Sequence, residues 1–277
     1  MAEMKPDKKS LKNILAAEDE AYYQIPIYQR PYQWGKEQCE ELLNDLFENY
    51  EDYRGDDYFC GSLVFIQSDE GNKTYDIVDG QQRLSTFILL AKVLATLYPE
   101  CLNSKSQEYL EESWSDRHED GEKKKRKRLD FDLVGSNAKK DFQNALDFFD
   151  DLDASKGENS KSNAPSKGKN SYLKNAICLK NYLEKKEIAD INDFIQWLYL
   201  KVNFITITCS DTDMALRIFN VLNARGLPLH ATDIFKGELL KNSPKKKNKK
   251  SLRPVGRICV KNAWIMVSPW KHCSVNI

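Results

Sequence analysis

The sequence predicts an α+β fold, a small mixed sheet with helices followed by a mainly helical part. Three observations carry that expectation. Short stretches rich in β-branched and aromatic residues, such as GSLVFIQ at Gly61 to Gln67, are bounded by turn residues. Longer segments place apolar residues at helical spacing. The chain of 277 residues is 41% hydrophobic and 11% aromatic. That suffices to bury a core in one large or two small domains, at roughly 150 residues per domain.

The elements follow in order. Tyr22 to Tyr28 (YYQIPIY) reads as a strand that runs into the proline loop QRPYQW. A helix is expected over 36–50, because Cys39, Leu42, Leu43, Leu46, Phe47 and Tyr50 fall on one face. After a loop at Asp56 and Asp57, strands at 61–67 and 73–78 flank a turn-forming stretch, 68–72, and can pair as a hairpin. A helix then spans about 81–97, with Leu84, Phe87, Ile88, Ala91, Leu94 and Ala95 inward. Residues 10–98 thus read as one α+β subdomain.

Residues 99–242 read as a helical subdomain. Helices are expected over 138–149, 172–183 and 191–200, then a strand at 204–209 and a helix over 211–222 capped by Asp211. A further helix begins near Thr232 or Asp233. The segment near 154–170 (ASKGENSKSNAPSKGKN) is polar and of low complexity, so it reads as a disordered insert. Residues 243–277 show no clean period of either kind and read as an atypical tail, either a small C-terminal structure of its own or a frameshifted stretch replacing the continuation of a longer protein.

Composition narrows the function classes. Lys and Arg balance Asp and Glu at 42 each, which argues against nucleic-acid binding by bulk charge. Two basic runs, KKKRKR at 123–128 and KKKNKK at 245–250, are either solvated loops or contacts for a phosphate backbone. Seven cysteines without a C-x-x-C pair suggest reduced thiols, and three distant histidines offer no zinc spacing. No apolar run nears the ~18 residues of a membrane span, and MAEMKPDKKS lacks the apolar centre of a targeting peptide. The expected location is the cytoplasm.

Three polar clusters carry the candidate chemistry. In the first, Asp79-Gly80-Gln81-Gln82-Arg83, a glycine permits a sharp exit from a strand and Asp79 can cap the helix that follows. The N–H groups of that first turn and the helix dipole favour an anion. Arg83 is there unfavourable by about 0.3–1 kcal/mol unless something negative lies beside it. A bound phosphate meets that need, and so does a salt bridge from Arg83 to Asp79 or another acid. The second cluster, Ile25 to Trp34 (IPIYQRPYQW), sets Arg30 between Tyr28 and Tyr32. It suits phosphate recognition and base stacking, or it is a rigid loop whose aromatics cover the helix from Lys36. The third, from Phe219 to Lys236, places Asn223, Arg225 and Gly226 in a turn between helices, with Asp233 and Lys236 opening the next helix. Ordinary capping and a local ion pair would also explain it.

Together, I-P-x-Y-Q-R-x-Y-x-W, D-G-Q-Q-R-L-S-T and F-N-x-L-N-x-R-G-x-x-L-x-x-x-D-x-x-K resemble the N-terminal domain of GmrSD-type restriction endonucleases, over about residues 10–241. The resemblance implies a ParB/sulfiredoxin-like fold and a nucleotide-binding role in bacterial defence against foreign, often modified, DNA. It implies NTP hydrolysis at Asp79, Gly80, Gln81, Gln82 and Arg83, and a facing box of Tyr28, Gln29 and Arg30. In that picture Arg83 and the helix amides hold phosphates, and Arg30 adds charge. Asp79 holds Mg2+ or orients water, Gln81 or Gln82 positions the attacking water, and Asn223, Arg225 and Gly226 close the site with Asp233 and Lys236 in support. Full-length relatives commonly add an HNH nuclease domain, for which this sequence has no histidine-metal motif, so the partner nuclease is expected to be separate or lost. A non-catalytic ParB-like DNA-binding protein or nucleotide-switch adaptor is the alternative. Sulfiredoxin-type redox chemistry is not expected, because D-G-Q-Q-R contains no cysteine.

Overall fold

The computed structural model describes residues 4–16, 21–26, 29–69, 72–118, 125–131, 136–154 and 170–222. Strands β1 (Met4–Ser10), β2 (Tyr22–Ile25), β3 (Tyr58–Asp69), β4 (Asn72–Asp79), β7 (Leu129–Phe131) and β8 (Val202–Cys209) form one six-stranded sheet, ordered β1-β8-β3-β4-β2-β7. The pairs β3/β4 and β1/β8 are antiparallel, whereas β3/β8, β2/β4 and β2/β7 are parallel. The sheet is therefore mixed, and the hairpin expected around residues 68–72 is present. Its strands come from both sides of residue 98.

Helices α1 (Leu11–Leu15), α2 (Lys36–Asp52), α3 (Gln81–Leu97), α4 (Ser104–Trp114), α5 (Ser136–Ala154), α6 (Ser171–Leu183), α7 (Ile191–Lys201) and α8 (Thr212–Leu222) complete the α+β fold. Strand alternation assigns the two faces of the sheet. Leu63 and Phe65 of β3 join the main core with α2, α3, α6 and α7, whereas Val64 and Ile66 join Val78, Cys209, Ala215 and Phe219 beneath α8. Asp211 caps α8 as expected, its carboxylate accepting from the Met214 N–H at 2.8 Å.

Helix α3 lies in the middle of the core. Every residue from Leu84 to Leu94 is buried, so the helix is enclosed on all sides and not only along the inner stripe. Each large apolar side chain there contributes about 1.5–3 kcal/mol relative to exposure. Its one lysine, Lys92, is accommodated by an ion pair with Asp150 and by the Trp114 ring, 5.0 Å from its ammonium.

Two segments depart from the sequence-based expectation. The polar stretch MKPDKKS forms β1, an edge strand whose lysines and proline suit a position where further pairing must be discouraged. The KKKRKR run is not one solvated loop. Lys125–Lys127 form β6, which pairs with β5 (Asp116–His118), and Arg128 is fully buried, donating to the Ala21 carbonyl oxygen at 2.6 Å. The expected insert (apart from its ends, Ala154 and Asn170), the helix beginning near Thr232, the second basic run and the tail at 243–277 lie outside the described residues.

Candidate functional site

The site begins where β4 hands over to α3. Asp79 is still paired to Val64 in the sheet, and the chain reverses at Gly80, which has φ 100° and ψ 1°. Gly80, not Asp79, is the N-cap, and α3 starts without a side-chain cap. The sheet holds Asp79 back in β4, so the capping expected of it does not occur. Only glycine fits this corner, because a Cβ there would stand 2.2 Å from Leu63 Cδ2.

Arg83 forms no salt bridge with Asp79. Its guanidinium folds back onto β3, where Nη1 donates to the Ser62 carbonyl oxygen at 2.9 Å. It lies near enough to Asp79, Tyr58 and Cys60 to favour their charged forms. Burial nevertheless pushes the Asp79 carboxyl above its usual range, against the pull of Arg83, the Gly80 N–H and Arg30. The Cys60 thiol is pushed up to about 12 by burial, so it stays protonated beside Arg83.

The proline loop is bound tightly to this junction. As the chain leaves β2, the Gln29 amide donates to the carbonyl oxygens of Ile77 (3.0 Å) and Val78 (2.5 Å), continuing the contact that β2 makes with β4. The Gln81 amide donates to the Arg30 carbonyl oxygen at 2.6 Å. Gln82 accepts from the N–H groups of Gln33 (2.8 Å) and Trp34 (3.0 Å) and donates to the Pro31 carbonyl oxygen at 3.3 Å. The Tyr32 hydroxyl hydrogen-bonds Thr86 at 2.7 Å and accepts from Asn175 at 2.9 Å, while Asn175 also donates to the Trp34 carbonyl oxygen at 2.6 Å. The Tyr32 ring stacks on Tyr172 at 4.3 Å.

The structure therefore brings Asp79, Gly80, Gln81, Gln82, Arg83, Gln29 and Arg30 together. Tyr32 and Trp34 serve the core, in keeping with a rigid loop covering the helices, and the Tyr32 ring is already stacked. Arg30 is half-buried and makes no ion pair or side-chain hydrogen bond among the described residues. Tyr28, Asn223, Arg225, Gly226, Asp233 and Lys236 lie outside those residues. Three neighbours escaped the sequence reading. Cys60 and Tyr58 carry no local signal, whereas Gly61 could have been noticed as a glycine inside a strand pattern. Among the described residues, no group of three or more His, Cys, Asp or Glu side chains stands ready to hold a metal.

The family model of the GmrSD restriction endonuclease N-terminal domain matches residues 11–240. The chain belongs to the GmrSD N-terminal domain family. No curated protein matches it. As a GmrSD N-terminal domain, it is a restriction-system component, and the family match spans all three polar clusters. No helix among its described residues is long and apolar enough to cross a membrane.

Proposed function

We propose that this GmrSD N-terminal domain binds a nucleoside triphosphate at the β4–α3 junction, with the phosphates between Arg30 and Arg83. The observation that carries this reading is the pair of guanidiniums beside Asp79. Arg83 is held by one backbone carbonyl, and Arg30 by no ion pair or side-chain hydrogen bond among the described residues. Two cations facing one partly buried carboxylate leave positive charge at a helix start whose N–H groups already favour an anion. Phosphate oxygens fit such a fork of donors.

The chain's own residues then divide the work. Arg83 and the first N–H groups of α3 bind phosphate oxygens, and the left-handed turn at Gly80 sets the direction in which those groups point. Gln29, Gln81 and Gln82 fix the loop that carries Arg30. The donors fit Mg2+ as an ion carried in by the triphosphate, since Mg2+ is commonly held by one or two carboxylates together with substrate phosphates. Asp79 would be its protein ligand, and the ion would neutralise phosphate charge. Ligation requires the ionised carboxylate, which burial alone disfavours.

Hydrolysis also needs a group that orients the attacking water. Gln81 and Gln82 are the motif's candidates, yet both give their amide nitrogens to the loop backbone, and Gln82 gives its oxygen as well. That commitment favours a second reading, in which nucleotide acts as a switch without turnover. In both readings the nucleotide state governs engagement of DNA, foreign and often modified, with cutting assigned to an HNH nuclease domain or subunit. A phosphate-release assay with ATP and GTP in Mg2+ decides between them. Release that is abolished by Arg83→Ala supports the NTPase, and binding without release supports the switch. Absence of any nucleotide binding removes both.

A further inference from the structure

We infer that Gly61 is a positioning residue for Arg83, and that the bulge in β3 exists to seat its guanidinium. The inference rests on the phosphate-site reading for its functional consequence, but not for its geometry. Along β3 and β8, Phe59 pairs with Asn203 and Ser62 with Ile205, so β3 advances from 59 to 62 while β8 advances only from 203 to 205. The extra residue is a bulge, and within it Gly61 has φ 104°. A side chain is excluded there twice over. L-residues rarely adopt that backbone conformation, and a Cβ at Gly61 would lie 3.0 Å from Arg83 Nη1, 3.1 Å from Cζ and 3.3 Å from Nη2.

The guanidinium thus lies flat against the place where a side chain would be. The same bulge precedes the Ser62 carbonyl that takes the Nη1 proton at 2.9 Å. Among the described residues one donor anchors Arg83, and the rest of its five-donor fork is uncommitted. The arrangement also explains why Arg83 does not collapse onto Asp79. Arg83 is seated on the backbone of β3, near Asp79 but not bonded to it, so its charge stays available. A glycine that only relieved backbone strain would need no guanidinium above it, and here both features coincide in one residue.

A double-mutant cycle tests the seat, using Gly61→Ala, Arg83→Met and the combination in the full chain. The first readout needs no nucleotide. Gly61→Ala should lower Tm by about 5 °C, reflecting strain plus the clash, and the drop should shrink clearly in the Arg83→Met background, where only strain remains. The second readout is the affinity for mant-ATP and mant-GTP, titrated separately with Mg2+. Gly61→Ala should weaken binding about tenfold in the wild-type background and less than about twofold in Arg83→Met. Equal Tm drops in both backgrounds overturn the seat, because the glycine then serves the bulge alone. Should Gly61→Ala yield no folded protein, recovery of folding in the double variant supports the proposal, and failure of the double overturns it. If wild type binds neither nucleotide, the phosphate-site reading fails, and the Tm cycle still decides the seat by itself.

Discussion

Gln81 donates its side-chain amide to the carbonyl oxygen of Arg30 at 2.6 Å, tying the D-G-Q-Q-R turn to the proline loop at the residue whose charge faces Asp79. Gln82, one position on, makes three further bonds to the same loop. The two glutamines therefore act first as a clamp that sets where Arg30 stands.

Loss of the clamp should be measurable as stability. Gln82→Ala removes the acceptor for two backbone N–H groups and is expected to cost about 1–2 kcal/mol in urea unfolding. Gln82→Glu keeps the acceptor and loses only the bond to Pro31, so it should cost less. Unchanged midpoints in Gln82→Ala would mean that the loop holds its position without the glutamine.

Gly80→Ala tests the corner itself. The added methyl meets Leu63 at 2.2 Å, on a backbone with φ 100° that alanine adopts poorly. Overpacking and backbone strain together should cost about 2–5 kcal/mol. Circular dichroism on heating reads this directly, and a variant as stable as wild type would show that the turn can be remade without strain.

Asp79 should make the free protein less stable as pH rises. Burial raises its folded-state pKa above the ordinary 3.8, so the folded chain holds this proton more tightly than the unfolded chain does. Its contribution is most favourable below 3.8 and is lost as pH climbs through the raised value, because the folded state must then carry a poorly solvated charge. Asp79→Asn should therefore be more stable than wild type at neutral pH without ligand, with the advantage shrinking in acid. Unfolding curves at several pH values check the sign, and an Asn variant that is less stable at neutral pH contradicts it.

The thiols give an independent check on burial near the site. Cys60 and Cys39 are both pushed up to about 12 by burial, whereas Cys101 is exposed. Iodoacetamide at mildly alkaline pH, followed by peptide mass spectrometry, should label Cys101 in the native protein and spare Cys39 and Cys60 until the chain unfolds. Prompt native labelling of Cys60 would place it in solvent beside Arg83.

The elements that share one dominant period were legible from sequence. Helix α3 and the β3/β4 hairpin follow from their apolar patterns, and Gly80 follows from the break between them. Strand β1 was not legible, since MKPDKKS has no apolar alternation and becomes a strand only because β8 offers an open edge. The sequence pointed to Asp79–Arg83, Gln29 and Arg30, which lie together in the fold, but not to the bonds among them. That Arg83 meets the Ser62 carbonyl oxygen and not Asp79 depended on Ser62 and Gly61, some twenty residues earlier in the chain. Asn175 was invisible for the same reason, because its role is to hold Tyr32 and Trp34 across 143 and 141 residues.

Arg30 and Arg83 are proposed to form one phosphate site at the start of α3. Equilibrium binding of ATP and GTP in Mg2+, measured by calorimetry on wild type, Arg30→Ala, Arg83→Ala and the double variant, tests it most directly. Each single variant should weaken binding by about tenfold or more, as expected for loss of a charge-assisted contact, and the double variant should bind no nucleotide while remaining folded. Wild-type affinity in the folded double variant, or no binding by wild type itself, would contradict it.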